Sequence, residues 1–254
     1  MKQTEVTIGA PSWAEIATSD PAAAKAFYGE LFGWRAETDP RPEAGGYTVM
    51  HLGEAPAAGL SPLYGPEQRT AWSVSFAVRD ADATAAEVVA AGGRVLMEPM
   101  EVLDIGRFAV VADPSGAVFA LWQARTFAGA GVFNDPGALG WAELLTRDPE
   151  RAVAFYPEVF GWSVNEGESY TQWGLAGEDF GGLLAMGDQF PPDLPPHWLP
   201  YFAVADVDVT ASRAAGLGGE VLMPATTVPA GPRIAVLRDP QGAAFGVYLA
   251  GTVD

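Results

Sequence analysis

Two stretches of this chain repeat one another without a gap. Residues 13–34 and 141–162 agree at 14 of 22 positions, among them Trp13/Trp141, Glu15/Glu143, Asp20-Pro21/Asp148-Pro149, Phe27-Tyr28/Phe155-Tyr156 and Gly33-Trp34/Gly161-Trp162. Farther along, the offset falls from 128 to 126 residues and carries Trp72 onto Trp198, Asp80 onto Asp206, Gly92-Gly93 onto Gly218-Gly219 and Asp113-Pro114 onto Asp239-Pro240. Self-similarity at one long period is the mark of a duplicated structural unit. The chain therefore reads as a first module over residues 1–126, a Gly-rich linker over 127–137 ending in turn-forming residues, and a second module over 138–254.

Inside each module the pattern is strand, helix, strands. Residues 12–18 alternate as a strand does, Asp20-Pro21 supplies an N-cap followed by proline at the first helical position, and Ala24, Phe27, Tyr28 and Leu31 recur at helical spacing until Gly33. Tyr47–Leu52 reads as a strand, followed by a loop rich in proline and glycine. Trp72–Val78 then opens a second round: a strand, an Ala-rich helix led by Asp80 and stopped at Gly92-Gly93, strands at Val95–Met97 and Arg107–Ala112, a turn at Asp113-Pro-Ser-Gly116, and a strand at Val118–Trp122. Each module is thus two βα-begun halves, and the whole is an α+β chain of four βαβββ units.

Composition removes several function classes. The absence of cysteine excludes disulfides, thiolate nucleophiles and iron–sulfur or zinc-thiolate ligation. A formal charge of −18, spread along the chain, would repel phosphate backbones and anionic lipid, so neither nucleic acid nor membrane is an expected partner. No apolar run is long enough to span a bilayer, and Met1–Glu5 lacks the features of an export leader, so a soluble cytoplasmic protein, monomer or homodimer, is expected. No nucleotide-binding glycine loop or Ser/His/Asp order emerges.

The strand, the Thr-x-Asp-Pro helix start, the Phe-Tyr and Leu-Phe-Gly-Trp steps and the later Asp-Pro-x-Gly turn together resemble the vicinal-oxygen-chelate superfamily, which includes glyoxalases, bleomycin-resistance proteins and dioxygenases. More narrowly they resemble two-module actinobacterial proteins that carry the labels hydroxylase or glyoxalase-like antigen. The resemblance implies paired cup-shaped mixed sheets within one chain. It also implies where metal ligands would stand: a residue on the first strand, seven before the capping Asp; one at the start of the strand opening the second half; and a Glu on the last strand, seven after the turn Asp. Those positions are Trp13, Ser73 and Ala120 in the first module and Trp141, Leu199 and Gly246 in the second. None is a ligand for a divalent ion, and neither His51 nor His197 falls at one, so no metal and no cofactor is expected.

Strand alternation puts Trp13 and Glu15 on the face away from the helix, as it does Trp141 and Glu143. The candidate catalytic groups are accordingly Glu15, His51 and Glu143, and the candidate cup-lining residues are Trp13, Tyr47, Ser73, Ser75, Arg107, Trp122, Trp141, Tyr170, Tyr201, Arg233 and Tyr248, with Trp72 and Trp173 as further candidates. Glu15 and Glu143 are equally readable as structural partners of Arg107 and Arg233, and Trp34, Trp162, Phe27, Tyr28, Phe155 and Tyr156 as core. With Ser73 and Ser75 facing Leu199 and Tyr201 across the repeat, the first cup is expected to be roomier, with Trp13 and Trp122 stacking on a ligand while the second cup is filled by its own aromatics. The expected function is metal-independent binding of a small, largely apolar or aromatic molecule, such as an antibiotic or secondary metabolite. A metal-independent enzyme using a cup glutamate as acid or base, with lyase, isomerase or hydroxylase-like activity, is the alternative. A metal-dependent glyoxalase or dioxygenase-type enzyme stands third.

Overall fold

The computed structural model describes residues 7–229 and 231–249, so the Met1–Glu5 stretch lies outside the described residues. Its elements repeat four times in the order strand, helix, three strands. The first unit is β1 (Pro11–Thr18), α1 (Pro21–Phe32), β2 (Arg35–Thr38), β3 (Thr48–Leu52) and β4 (Ala55–Pro62); the second is β5 (Ala71–Ala77), α2 (Ala81–Ala90), β6 (Arg94–Val102), β7 (Gly106–Ala112) and β8 (Val118–Ala124). The third comprises β9 (Leu139–Thr146), α3 (Pro149–Phe160), β10 (Ser163–Glu166), β11 (Thr171–Leu175) and β12 (Glu178–Ala185). The fourth comprises β13 (His197–Val204), α4 (Val207–Gly216), β14 (Glu220–Thr227), β15 (Arg233–Arg238) and β16 (Ala244–Leu249). Among the described residues no helix is long and apolar enough to cross a membrane.

The helix starts follow from the sequence. Asp20 and Asp148 each cap a helix by accepting from the backbone N–H three residues on, proline follows at the first helical position, and Gly33 and Gly161 close the helices at φ of 73° and 71°, where a side chain would be strained. One expectation needs correcting. The Pro/Gly-rich stretch after Leu52 is a strand, β4, bonded to β1 in parallel and to β3 antiparallel. Its Ala57-Ala58-Gly59 core has no hydrophobic alternation to announce it, and the prolines fall at Pro56 and Pro62, near its two ends.

Each module forms one eight-stranded sheet, in the orders β2-β3-β4-β1-β5-β8-β7-β6 and β10-β11-β12-β9-β13-β16-β15-β14. The two units of a module meet at the antiparallel pairs β1–β5 and β9–β13. The helices do not serve their own sheet alone. Phe27 and Tyr28 of α1, with Ile16 below them, cluster with Phe202, Phe245 and Leu237 of the second sheet and Ala211 of α4. Reciprocally, Phe155 and Tyr156 of α3 cluster with Phe76 and Phe119 of the first sheet and Val88 of α2. Two shared cores therefore join the modules. Both are closed by buried polar links: Trp72 Nε1 donates to Tyr28 Oη (2.9 Å), which donates to Asp239 Oδ2 (3.0 Å), and Trp198 Nε1 donates to Tyr156 Oη (3.0 Å), which donates to Asp113 Oδ2 (3.1 Å). The turn aspartates are thus more than hairpin formers. Each bonds the backbone of its own turn with Oδ1 and a tyrosine of the other module with Oδ2.

Candidate functional site

With the helices packed on one face of each sheet, the opposite faces are the cups. Register fixes what stands there. In the first sheet Glu15 is opposite Ser73 and Gly59, Trp13 is opposite Ser75, and Ser75 in turn is opposite Ala120. Ala14 and Ile16 point the other way and are fully buried.

A hydrogen-bonded chain crosses this face. Trp13 Nε1 donates to Tyr47 Oη at 2.8 Å, and Tyr47 Oη donates to Glu15 Oε2 at 2.5 Å. Gly59 makes it feasible, because a Cβ there would collide with both the Tyr47 hydroxyl and the Trp13 indole nitrogen. Burial pushes the Glu15 carboxyl above the usual carboxylate range, an effect the Tyr47 bond only partly offsets. Burial also carries Tyr47 well above the phenol range, and the neighbouring Glu15 charge adds to it. Tyr64, on the β4–β5 loop, is raised by burial and by the same Glu15 charge, while a hydrogen bond with Ser61 lowers it. Sequence reasoning missed both: Tyr64 is a loop residue with no face parity to place it, and Ser61 belongs to β4, which reads as a loop in the sequence.

The second cup repeats the theme and closes it. Trp141 Nε1 donates to Tyr170 Oη at 2.9 Å over Gly182, the counterpart of Gly59. Tyr201 Oη donates to Glu143 Oε2 at 2.9 Å, and Tyr170 stands close enough to act on the same carboxyl. Burial raises Glu143, with both tyrosines pulling the other way, and it is only 7% exposed where Glu15 is partly open. The Tyr201 ring lies against Gly246, leaving no room there for a Cβ. Leu145, Met186, Leu199 and Tyr201 form a cluster of their own, joined by Phe190 and Leu194 from the β12–β13 loop. Tyr248, pushed up to about 12 by burial, donates from Oη to Asn134 Oδ1 at 2.7 Å.

Several expected positions move. Arg107 lies outside the cup: Phe108 opposes Trp122, so its neighbour Arg107 turns to the helix side and pairs with Asp82 and Glu101, both at 2.8 Å. Arg233 likewise pairs with Asp208 at 2.6 Å. Neither is a partner of Glu15 or Glu143. Trp72 and Trp173 belong to the core rather than the cups, Trp72 as a donor to Tyr28 and Trp173 fully buried against Tyr156 and Trp162. His51 stands 3.6 Å from Glu37, and its Nδ1 has no hydrogen-bond partner among the described residues. His197, lowered by burial, bonds Pro195 O through Nδ1 on the loop before β13. Trp13 and Trp122 are 5% and 7% exposed, and Phe127 of the linker stands edge-on to them at ring-centroid distances of 5.0 and 6.1 Å. That leaves neither indole face free for the stacking expected of it. Only the full path of the linker could have shown this.

The residues at the ligand positions implied by the resemblance do not fit a metal ion. Trp13 and Trp141 present N–H donors already given to tyrosines, Ser73 donates weakly to Glu15 O at 3.4 Å, and Leu199, Ala120 and Gly246 carry no donor atom in their side chains. Among the described residues no group of three or more His, Asp or Glu side chains is placed to hold one.

The chain belongs to the Glyoxalase/Bleomycin resistance protein/Dioxygenase superfamily, whose model matches residues 10–121 and again 138–247. It is 39% identical over 255 residues to "Putative glyoxylase CFP32" of Mycobacterium tuberculosis, covering 97% of each chain. It is also 39% identical over 262 residues to the anthracycline biosynthesis protein DnrV of Streptomyces peucetius, covering 96% of this chain and 94% of that one. The fold is shared with the 2,3-dioxygenase LapB from Pseudomonas sp. KL28 (TM-score 0.69, 14% identity, 97% and 93% coverage). It is shared too with the Mn(II)-bound glyoxalase from Novosphingobium aromaticivorans (TM-score 0.68, 18% identity, 96% and 82% coverage).

Proposed function

We propose that this chain binds a small, largely apolar aromatic molecule of secondary metabolism in the cup of its first module, residues 1–126, without a metal ion, while the second module, residues 138–254, is the structural partner joined to it through residues 127–137. The observation that carries this is the replacement of a ligand set by a Trp13–Tyr47–Glu15 hydrogen-bonded chain on an otherwise small-residue and apolar face. Pockets of that make, apolar with a few placed polar groups, suit organic ligands. Similarity to a protein named for anthracycline biosynthesis points to the same ligand class. Burial of a fused aromatic system would give micromolar affinity, on the order of 8 kcal/mol, with no covalent bond.

A second reading is favoured by one observation. Glu15, raised by burial and held by Tyr47 at one oxygen, is a carboxyl that keeps its proton to higher pH than a free one, so a metal-independent enzyme using it as acid or base on a carbonyl or hydroxyaromatic substrate fits the same geometry. One experiment tests both readings. An anthracycline aglycone is incubated with the protein in excess chelator, binding is followed by tryptophan quenching, and the mixture is then resolved by mass spectrometry. Saturable binding with the ligand recovered unchanged supports the binding protein, protein-dependent conversion supports the enzyme, and the absence of both saturation up to protein concentrations of ~100 μM and conversion overturns both readings.

A further inference from the structure

The floor of the first cup is covered, and its open part lies toward the rim. On the cup face Trp122 stands opposite Phe108 and Ala120 opposite Val110; one strand farther out, Phe108 stands opposite Met100 and Val110 opposite Met97. Met97 and Met100 are 45% and 49% exposed, and Phe108 and Val110 are partly so. Ala109 and Val111, which alternate with them on β7, are fully buried on the helix side. These four side chains thus present an apolar wall to solvent on the concave side of the sheet. Met97 and Met100 are three apart, a spacing that plain strand alternation sends to opposite faces. A bulge at Glu98-Pro99, where β6 advances three residues against two of β7, returns Met100 to the face of Met97. The second module keeps the bulge and loses the wall. Met223 stands opposite Val236 and Thr226 opposite Ile234, so threonine and isoleucine take the places of Met100 and Phe108. Ile234 and Val236 pack against the cluster that includes the Tyr201 ring, and Met223 is less exposed than Met97.

Resting on the binding role proposed above, we infer that the wall of Met97, Met100, Phe108 and Val110 is the seat of the ligand's ring system, and that the ligand is a fused planar aromatic. Cross-strand pairs lie about 5 Å apart and same-face neighbours along a strand about 7 Å, so the four side chains mark a flat patch the size of two fused rings. Thioethers and a phenyl ring attract a polarisable π-system, and unbranched methionines adapt to its outline. The seat therefore accepts a range of fused aromatics rather than one. A second copy of the chain suits the wall less well. β6 is the outer strand of its sheet, but Pro99 and the bulge interrupt its free edge, and Glu98 and Glu101 would meet like charges across a paired edge.

The chain has six methionines, so labelling their methyl groups with carbon-13 gives a small set of NMR signals, with Met97 and Met100 assigned by substitution with Leu. 2-Hydroxyanthraquinone is titrated in chelator into the full chain, with calorimetry on the same samples. The Met97 and Met100 signals should move upfield in the ring current of the bound aromatic and saturate with the heat, while Met50, Met186 and Met223 stay in place. Met100→Thr/Phe108→Ile, which gives the first wall the residues of the second, should weaken binding about ten- to one-hundred-fold, the loss of one thioether–ring and one ring–ring contact. Saturating heat with Met97 and Met100 unmoved, or with affinity unchanged in the double variant, overturns the seat and leaves the aromatic-binding role standing. Neither heat nor shift, at any ratio of dye to protein, overturns both. Met97 and Met100 signals that move with protein concentration in the absence of dye assign the wall to a second copy and overturn the seat as well.

Discussion

Replacing Tyr156 by Phe removes a single oxygen from the protein and tests whether the modules are one cooperative unit. That oxygen accepts from Trp198 Nε1 at 3.0 Å and donates to Asp113 Oδ2 at 3.1 Å, and the residue is fully buried. Its loss leaves a buried donor and a buried carboxylate oxygen without their partner. Each such group costs about 1–3 kcal/mol, so the sum is on the order of 3 kcal/mol, since the Phe ring keeps the aromatic packing against Trp162 and Phe119. For a chain of this size the midpoint should fall by roughly 6–12 °C, at 2–4 °C per kcal/mol. The assays are thermal unfolding for the midpoint and urea unfolding for the slope, each on wild type and variant and each followed by both tryptophan fluorescence and far-ultraviolet dichroism. One transition that moves as a whole, with an unchanged slope, is expected, because Tyr156 of the second module packs on Phe119 of the first and anchors to its turn. Two transitions, only one of them displaced, would refute the shared core. Tyr28→Phe breaks the symmetric link to Asp239 and should behave alike.

Further outcomes follow from the cups. Glu143 carries a carboxyl raised above its ordinary value of 4.5 chiefly by burial, so the folded state holds its proton more tightly than the unfolded chain does. The stability it contributes is fully present below the unfolded value and lost as pH rises through the folded one, so Glu143→Gln should stabilise the protein at pH 7 and make little difference at pH 4, read from melting curves at both values. Gly246→Ala forces a Cβ into the Tyr201 ring and should cost roughly 1–3 kcal/mol, a cost that should vanish when the same change is made in a Tyr201→Ser background, as a denaturant-melt cycle would show. Gly59→Ala should weaken ligand binding by displacing Tyr47 and Trp13 from Glu15, seen as a loss of tryptophan quenching. Arg107→Ala should leave affinity unchanged, because its partners are Asp82 and Glu101 outside the cup; a large loss in the same titration would return Arg107 to the site.

How much of this was legible before the coordinates depends on the kind of information involved. The duplication, the Asp-Pro helix starts and the outward parity of Trp13 and Glu15 are local properties of the chain, written in spacing and side-chain alternation. Strand β4 was not legible, because its Ala57-Ala58-Gly59 centre shows no hydrophobic alternation and Gly59 is required by what passes over it, the Tyr47 hydroxyl and the Trp13 indole. Trp72 and Arg107 were misplaced where parity alone would have corrected them: Trp72 adjoins Ser73, and neighbours on a strand face opposite ways, as Arg107 and Phe108 do. The packing of the helices against both sheets, the placing of Phe127 against Trp13 and Trp122 and the arrival of Tyr64 near Glu15 depend on how distant segments dock, which no periodicity encodes.

If the proposed function holds, one cup binds and the other only resembles it. Calorimetric titration of 2-hydroxyanthraquinone, in chelator, into wild type, Glu15→Gln and Glu143→Gln measures this in a single series. One site per chain in the wild type, affinity lowered at least about tenfold by Glu15→Gln, the low end for a hydrogen bond to a charged group, and left intact by Glu143→Gln is the predicted result. Equal losses from the two substitutions, or binding that appears only when a divalent metal is restored, would contradict it.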